Sequence, residues 1–437
     1  MEVGKHLREG LWGVADKLLA VIYGLGFVWL VIRVLPEEEF GNFVLVQEVF
    51  LIISGLATAF ALQPLLKFAA EEDADMTGVV SAALWLNAGF VAAASFLVVA
   101  ASVPAGALFN SPALPSLLLY VPALLAASFA RNFTLTLLQA KFRIQEVFWV
   151  DALHFLGAPL LVWVVSRMHA FDTALDLIII NLASLGSSSL LGLWCTRRTA
   201  HLTLRPPRSA LLRVWHYGKY TLGGIVSSLF STRADSFILS AFTGPVQVAV
   251  YNSAKVFVRL YEMASQVVQM FVLPAASRLS SQGNMPSLKA LTEKSILFLT
   301  IALLPVTVLF LAFPGILIGV LYGGRYTDAI PVLRIFSLLT FVVPLIAVGA
   351  NVLMGHGEAR ATFILGVQAL TAAVVAFLIC IPPGGATGAG LGYLLGSVAA
   401  GIFTWRVLRR HVPLTFFEVL RRTRDIKMFF LDRSRRT

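Results

Sequence analysis

The sequence predicts an all-α polytopic membrane protein with about twelve transmembrane helices in two six-helix lobes around a central cavity. Hydrophobic residues make up 58% of its 437 residues and charged residues only 13%, and the mean hydropathy is +0.83. A soluble protein has about 45–50% apolar and about 25% charged residues, so much of this surface must face lipid. Polar and apolar residues do not alternate with a period of two, which excludes a transmembrane β-barrel.

Apolar runs of about 20 residues or more, each long enough to cross a bilayer as a helix, define the predicted spans. Proline and glycine mark many of the short connections between them, as at Pro36, Pro112, Pro245 and Gly323. The predicted spans are 11–35, 43–66, 79–103, 113–137, 147–168, 175–196, 216–242, 250–274, 293–320, 329–353, 360–381 and 386–408.

Basic residues accumulate at one end of these spans. With a cytoplasmic N-terminus, the inner face holds most of the 34 Lys and Arg residues, whereas the outer face holds Arg33, Arg167 and Arg325. Cytoplasmic loops of membrane proteins are enriched in Lys and Arg, so both termini are expected in the cytoplasm. The same rule accounts for the net charge of +11 without a nucleic-acid partner. The basic tail 409–437 is expected to rest on anionic membrane lipids.

A weak internal repeat divides the chain into halves. Pro36 and Pro64 recur as Pro245 and Pro274, in each case about 210 residues later. Six helices per half is an even number, so the halves share one orientation, as in transporters built from two parallel repeats. The predicted organisation is a first lobe 1–196, a basic cytoplasmic linker 197–215, a second lobe 216–408 and the tail 409–437.

Three loop motifs resemble those of a known family. The stretch Arg33–Phe43 (RVLPEEEFGNF) is similar to the LGPEEFGLY signature of the Wzx-type oligosaccharide flippases of the MOP superfamily. Asp235–Tyr251 resembles the second-half counterpart, and Leu321–Arg334 resembles the stretch after the ninth helix. The chain departs from the pattern by an extra glutamate in the first motif and by a second copy without its acid and glycine.

The resemblance implies a function and a set of partners. Members of this family move polyprenyl-pyrophosphate-linked oligosaccharides from the inner to the outer leaflet of the bacterial or archaeal cytoplasmic membrane, for cell-surface polysaccharide such as O-antigen or capsule. It implies a lipid-linked substrate, membrane lipids, and contact with a polysaccharide polymerase and its assembly machinery. The lobes would then rock around the cavity in alternating access.

Polar residues inside the eighth predicted span form a stripe. Lys255, Arg259, Glu262, Gln266 and Gln269 fall within an arc of about 80° on a regular helix. The stripe is expected to line a watery cavity; the alternative is hydrogen bonding between packed helices. Arg259 and Lys255 are the first candidates for the pyrophosphate, because a forked guanidinium and an ammonium both suit phosphate oxygens. In the alternative, Glu262 neutralises Arg259 as a structural pair.

Other intramembrane charges are further candidates, since each is costly there unless it faces protein or water. Arg233 and Lys17 are expected cavity or gate cations, and Arg334 repeats that role at the outer end. Lys17 could instead snorkel to the surface, and one of Arg233 and its neighbour Asp235 is expected to clamp two helices.

Acidic residues offer a route for coupling to an ion. Glu48, Asp235 and Glu262 are deep enough to bind H⁺ or Na⁺, or they serve as countercharges to arginine. Arg131 and Asp151 are expected to pair across adjacent helices.

Enzyme signatures are missing from the sequence, so the protein is expected to be neither an enzyme nor a holder of a metal or cofactor. Two rival functions stay open. One is a cation-coupled drug exporter of the same superfamily, which should favour acids and aromatics in its cavity. The other, from a different class, is a membrane glycosyltransferase or polysaccharide polymerase, which typically needs a larger outer loop.

Overall fold

The computed structural model describes residues 2–68, 76–168, 171–198 and 202–415, and the regular secondary structure in these ranges is helical. By internal contacts the chain divides into two compact units, one ending at Asn252 and the other beginning at Ser253. The predicted tail lies outside the described residues from position 416 onward.

The first unit contains nine helices and the start of a tenth. They are α1 (Glu2–Val34), α2 (Glu37–Ala57), α3 (Gln63–Phe68), α4 (Met76–Leu108), α5 (Leu114–Leu118), α6 (Val121–Ala140), α7 (Ile144–Met168), α8 (Ala174–Thr196), α9 (Arg208–Thr243) and α10 (Pro245–Lys255). The longest helix-to-helix interfaces pair α1 with α7 and α6 with α8. Because α9 packs on α2 and α4, this unit extends past the basic loop 197–215. The two six-helix lobes drawn from the sequence stay a prediction.

The second unit contains the remaining helices. A 3₁₀ turn (Val256–Val258) leads into α11 (Arg259–Ser281), followed by α12 (Met285–Ala312), α13 (Pro314–Tyr322), α14 (Ala329–Ser337), α15 (Val343–Gly355) and α16 (Ala359–His411). The single predicted helix 293–320 is wrong, because Pro314 ends α12 and begins α13; proline suits the first turn of a helix, where its missing N–H costs nothing. The predicted helices 360–381 and 386–408 form the two arms of α16, joined at a kink at Gly385 (φ 52°, ψ −131°). That backbone conformation is open to glycine and strained for other residues.

Nine helices within the described ranges are long and apolar enough to cross a membrane, or ten if the pair α14 and α15, bent by 42°, is one span. The polar, charged helix α9 is not among them. The chain is therefore a multi-pass helical membrane protein, and twelve spans remain a prediction.

The first loop motif and its second-half counterpart pack against each other within the first unit. A Cβ on Gly41 would lie 1.9 Å from the carbonyl oxygen of Pro245. Ser111 Oγ donates to Oδ1 of Asn42 at 2.7 Å, and Asn110 Nδ2 donates to the Ala241 carbonyl at 2.9 Å. The motif glycine thus allows α2 and α10 to approach at backbone distance.

A π-helical turn at Thr58–Leu62 separates α2 from α3. Such a turn disturbs the regular i→i−4 hydrogen bonds, and here Thr221 Oγ1 on α9 donates to the Ala59 carbonyl at 2.6 Å. Gly218 permits this approach, since a Cβ there would lie 2.0 Å from the Phe60 carbonyl oxygen. The contact fixes α9 on α2.

Candidate functional site

A buried charged cluster joins α1, α6 and α7 in the first unit. Arg131 Nη2 donates to Asp151 Oδ1 at 2.5 Å, and each of these side chains is 11% exposed. The Arg131 Nε donates to Ser188 Oγ on α8 at 3.1 Å. The predicted ion pair between Arg131 and Asp151 is therefore confirmed.

Asp16 on α1 adds a second carboxyl group to this cluster. Its side chain is 7% exposed, and its Oδ1 is buried without a hydrogen-bond partner among the residues that the structure describes. A buried carboxylate oxygen without a donor is costly, and a bound proton or cation would lower that cost. The cluster therefore has the chemistry of a site for a proton or a small cation.

Lys17 lies at the edge of the same cluster. Its Nζ is 3.5 Å from Asp16 Oδ2, and its side chain is 82% exposed. An ammonium group so exposed is free to reach a headgroup region, as the snorkelling alternative requires. A gate role for Lys17 stays a prediction.

Arg233 and Asp235 on α9 each have a partner within the first unit. The Arg233 guanidinium donates to Glu48 on α2, and the Glu48 side chain is 10% exposed. Asp235 accepts hydrogen bonds from Tyr251 Oη at 2.7 Å and from the Ser236 backbone N–H at 2.8 Å. Asp235 therefore clamps α9 to α10, while Arg233 and Glu48 join α9 to α2. Substrate or ion binding by these three residues stays a prediction.

A cavity of about 500 Å³ lies between α11, α15 and α16 in the second unit. Three of the five predicted stripe residues line it, namely Glu262, Gln266 and Gln269. Asn351 on α15 and Ser397 on α16 add further polar groups to the same wall. The cavity therefore offers amide, hydroxyl and carboxylate groups in one space.

The helices that line this cavity also pack closely against one another. A Cβ on Gly355 of α15 would lie 2.8 Å from Ala276 Cβ on α11, and one on Gly349 would lie 2.4 Å from Thr404 on α16. Tyr261 anchors α11 by donating to the Phe336 carbonyl at 3.1 Å. The space opens where Ala347 and Ala350, both small, face the polar residues of α11.

The two cations of the stripe are not among the residues that line this cavity. α10 ends at Lys255, and the 3₁₀ turn Val256–Val258 separates it from α11. A 3₁₀ turn advances about 120° per residue, so the prediction of one regular helix through Lys255 and Arg259 is wrong, while the place of Lys255 in the stripe stays a prediction. Lys255 is half-buried, Arg259 is exposed at the start of α11, and neither lines the cavity.

Arg334 lies in the last turn of α14 and is exposed. Its carbonyl accepts from Ser337 Oγ at 2.6 Å. Its proposed role near the outer end stays a prediction.

The sequence did not predict that Asp16 joins this cluster. Asp16 and Asp151 lie 135 positions apart in the sequence, on α1 and α7. A signal in the sequence was the cost of placing any carboxylate in a span without a partner. Which partner it has depends on the α1–α7 interface.

The helices, the buried charges and the polar cavity together describe a multi-pass membrane protein. Its fold resembles that of a multidrug resistance MATE family transporter of the MOP superfamily in an inward-facing conformation, with a TM-score of 0.74, 17% identity, and coverage of 91% of this chain and 94% of that one. It also resembles the lipid II flippase MurJ in an inward closed conformation, with a TM-score of 0.72, 13% identity, and coverage of 92% and 87%. These relatives are transporters and flippases, not enzymes.

Residues 30–331 match the family described as polysaccharide biosynthesis protein, and the chain belongs to this family. An uncharacterised membrane protein of Methanocaldococcus jannaschii is 29% identical over 198 residues. That match covers 45% of this chain and 39% of the archaeal protein, so the chain spans well under half of that relative's length.

Proposed function

We propose that this protein is a flippase-type transporter that moves a polyprenyl-pyrophosphate-linked oligosaccharide from the inner to the outer leaflet of the cytoplasmic membrane by alternating access. The observation that carries the proposal is the polar cavity of the second unit, in a chain of a polysaccharide biosynthesis family. Its fold is shared with a flippase whose substrate, lipid II, is itself a lipid-linked molecule. Both termini would lie in the cytoplasm, as the distribution of basic residues predicts.

The cavity has the chemistry for sugar. Gln266, Gln269 and Asn351 each present an amide that both donates and accepts, and Ser397 adds a hydroxyl. Such groups match the hydroxyls of a glycan. A volume of about 500 Å³ falls in the usual range of ligand pockets, about 300–1,000 Å³.

The pyrophosphate needs cations, since an unpaired dianion in a low-dielectric space costs many kcal/mol. Arg259 is our first candidate, because it is exposed at the start of α11, one turn before the cavity residue Glu262. Lys255, Arg233, Lys17 and Arg334 are further candidates. Arg233 would have to exchange Glu48 for the phosphate.

Ion coupling would use the acids of the buried cluster in the first unit. Asp151 pairs with Arg131, whereas Asp16 Oδ1 is buried without a hydrogen-bond partner among the described residues, so a proton or Na⁺ bound there would satisfy it. Glu48, Asp235 and Glu262 remain the other candidates. Of these, Glu48 and Asp235 already have structural partners.

Reconstitution in liposomes tests the proposal. A fluorescent polyprenyl-pyrophosphate oligosaccharide is placed in both leaflets, and its exposure to a membrane-impermeant quencher is followed with wild type, Arg259→Ala and Arg278→Ala. Arg278 is exposed in the last turn of the same helix, so it controls for loss of charge. We expect movement with wild type and Arg278→Ala, and loss with Arg259→Ala. Equal movement with both variants would remove Arg259 from the site.

A second candidate is a cation-coupled drug exporter, favoured by the carboxylate of Glu262 in the cavity and by the fold shared with a MATE transporter. The same vesicles, loaded with a cationic dye, distinguish the drug exporter from the oligosaccharide flippase. Export of the dye without movement of the lipid-linked glycan would favour the exporter.

A further inference from the structure

The ends of α7 and α8 form a basic cleft that the transport cavity does not include. It has a volume of about 740 Å³, lies wholly within the first unit, and is lined by Arg143, Glu146, Trp149, Leu191, Trp194, Cys195, Arg197 and Arg198. The two helices are antiparallel, so the beginning of α7 and the end of α8 meet here. The distribution of basic residues predicts that this end faces the cytoplasm.

Two of the three arginines are available to a ligand. Arg143 is held in place, because its Nε donates to Glu146 Oε1 at 2.7 Å and its Nη1 donates to the Cys195 carbonyl at 3.3 Å. Arg197 and Arg198 are exposed, and the Arg197 guanidinium lies 5.0 Å from the ring centroid of Trp194. The cleft therefore keeps a net positive charge after Glu146 has neutralised Arg143.

Two tryptophans indicate where the cleft lies relative to the membrane surface. Trp149 and Trp194 are 53% and 59% exposed, although both lie on apolar helices. Exposed tryptophans near helix ends mark the membrane–water interface. Below them along α7, the exposed residues Leu153, Leu156 and Leu160 continue the same face at spacings of four and three residues. A basic cleft thus sits directly above a strip that fits acyl chains.

The last pair of helical arms in the second unit carries a similar feature. A cleft of about 400 Å³ between the two arms of α16 is lined by Gln368, Phe403, Arg406, Arg410 and His411, among others. In each half of the repeat predicted from the sequence, the basic cleft therefore lies at the last two helices. This recurrence is an independent reason to regard the α7–α8 cleft as a built site.

We propose that the α7–α8 cleft binds the headgroup of an anionic glycerophospholipid, with Arg197 and Arg198 contacting the phosphate, the tryptophans at headgroup depth and the acyl chains on α7. Basic pockets between transmembrane helices on the cytoplasmic side bind such headgroups. The proposal goes beyond the transport function and does not depend on it. It identifies a lipid that would anchor one face of the first unit.

Native mass spectrometry of the full chain in detergent tests this site. Phosphatidylglycerol and phosphatidylcholine are titrated separately, and bound lipid is counted for wild type, Arg197→Gln/Arg198→Gln and Arg205→Gln/Arg208→Gln. The last pair removes the same charge from exposed positions in the same loop region that do not line the cleft. We expect wild type and the control pair to prefer phosphatidylglycerol. Each arginine near an anionic lipid contributes about 1 kcal/mol, or about fivefold in affinity. The Arg197→Gln/Arg198→Gln variant should therefore bind phosphatidylglycerol about 25-fold more weakly than wild type.

Two results would overturn the proposal. Undiminished phosphatidylglycerol binding by Arg197→Gln/Arg198→Gln, or an equal loss in the control pair, would show that the cleft does not select the lipid. A polyprenyl diphosphate that displaces the bound phosphatidylglycerol at equimolar concentration would assign the cleft to the transported class of lipid instead. Neither readout involves transport, so a failure here leaves the proposed function untouched.

Discussion

Removing the charge of Asp151 is expected to destabilise the first unit strongly. The substitution Asp151→Asn keeps the shape of the side chain but removes the negative charge that neutralises Arg131. The buried Arg131 guanidinium then keeps its hydrogen bond to Ser188, which carries no charge. Arginine cannot lose its proton to escape this cost. Breaking a buried ion pair from one side costs about 3–5 kcal/mol, and both side chains here are only 11% exposed, so little screening reduces it.

A second carboxylate in the same unit provides a matched control. Glu146 pairs with Arg143 three positions earlier, and both side chains are 32% exposed. Exposed pairs of this kind contribute about 0.2–1 kcal/mol. Glu146→Gln should therefore lower the free energy of unfolding by less than about 1 kcal/mol.

Equilibrium unfolding in mixed detergent micelles, followed by far-ultraviolet circular dichroism, gives the free energies. We expect Asp151→Asn to unfold at a clearly lower fraction of denaturing detergent than Glu146→Gln. The double variant Arg131→Met/Asp151→Asn should recover most of the loss, because it removes the stranded charge. Equal effects of Asp151→Asn and Glu146→Gln, or additive effects in the double variant, would refute the reasoning.

Three further predictions concern helix packing, the cavity and the topology. Gly218→Ala should lower the free energy of unfolding, since its Cβ would meet a carbonyl oxygen of the π-helical turn at 2.0 Å, whereas Gly223→Ala on the same helix meets nothing within 4 Å and should be neutral or stabilising. Gln266→Leu/Gln269→Leu should slow movement of the lipid-linked oligosaccharide about tenfold in liposomes, at about 0.5–1.5 kcal/mol for each lost hydrogen bond. An alkaline phosphatase fused after Pro207 should be inactive, because that loop is expected in the cytoplasm.

Each of these outcomes has a clear opposite. Equal stability of the two alanine variants would mean that the helices separate without cost at the π-helical turn. An equal slowing of a polyprenyl diphosphate without sugar would mean that the two glutamines do not contact the glycan. Active phosphatase at the fusion would invert the topology.

Much of the helical architecture was predictable because it depends on local composition. Hydropathy located the helices, whereas the repeat predicted from the constant offset of Pro36, Pro64, Pro245 and Pro274 stays a prediction. The predictions failed where a helix is locally irregular. Neither the break at Pro314 nor the 3₁₀ turn after Lys255 changes the mean hydropathy of its segment.

The ion pairs of the site were predictable only in part. Pairs between neighbouring helices could be inferred from the sequence, whereas pairs between distant helices could not. Arg131 and Asp151 lie on consecutive helices joined by a short loop, so their pairing could be inferred from topology. Glu48 and Arg233 are 185 positions apart, and their pairing depends on how α2 and α9 pack. No pattern in the sequence specifies that register.

The sequence by itself determined that this chain resides in a membrane, that it is helical, and which residues are too polar to face lipid. The tertiary structure decided which of those polar residues neutralise one another and which face a cavity. Glu262, Gln266 and Gln269 face one, whereas Glu48, Asp151 and Asp235 hold helices together. The physical reason is that transfer into lipid depends on each residue's own chemistry, whereas pairing depends on the distance to a partner that only the folded chain brings close.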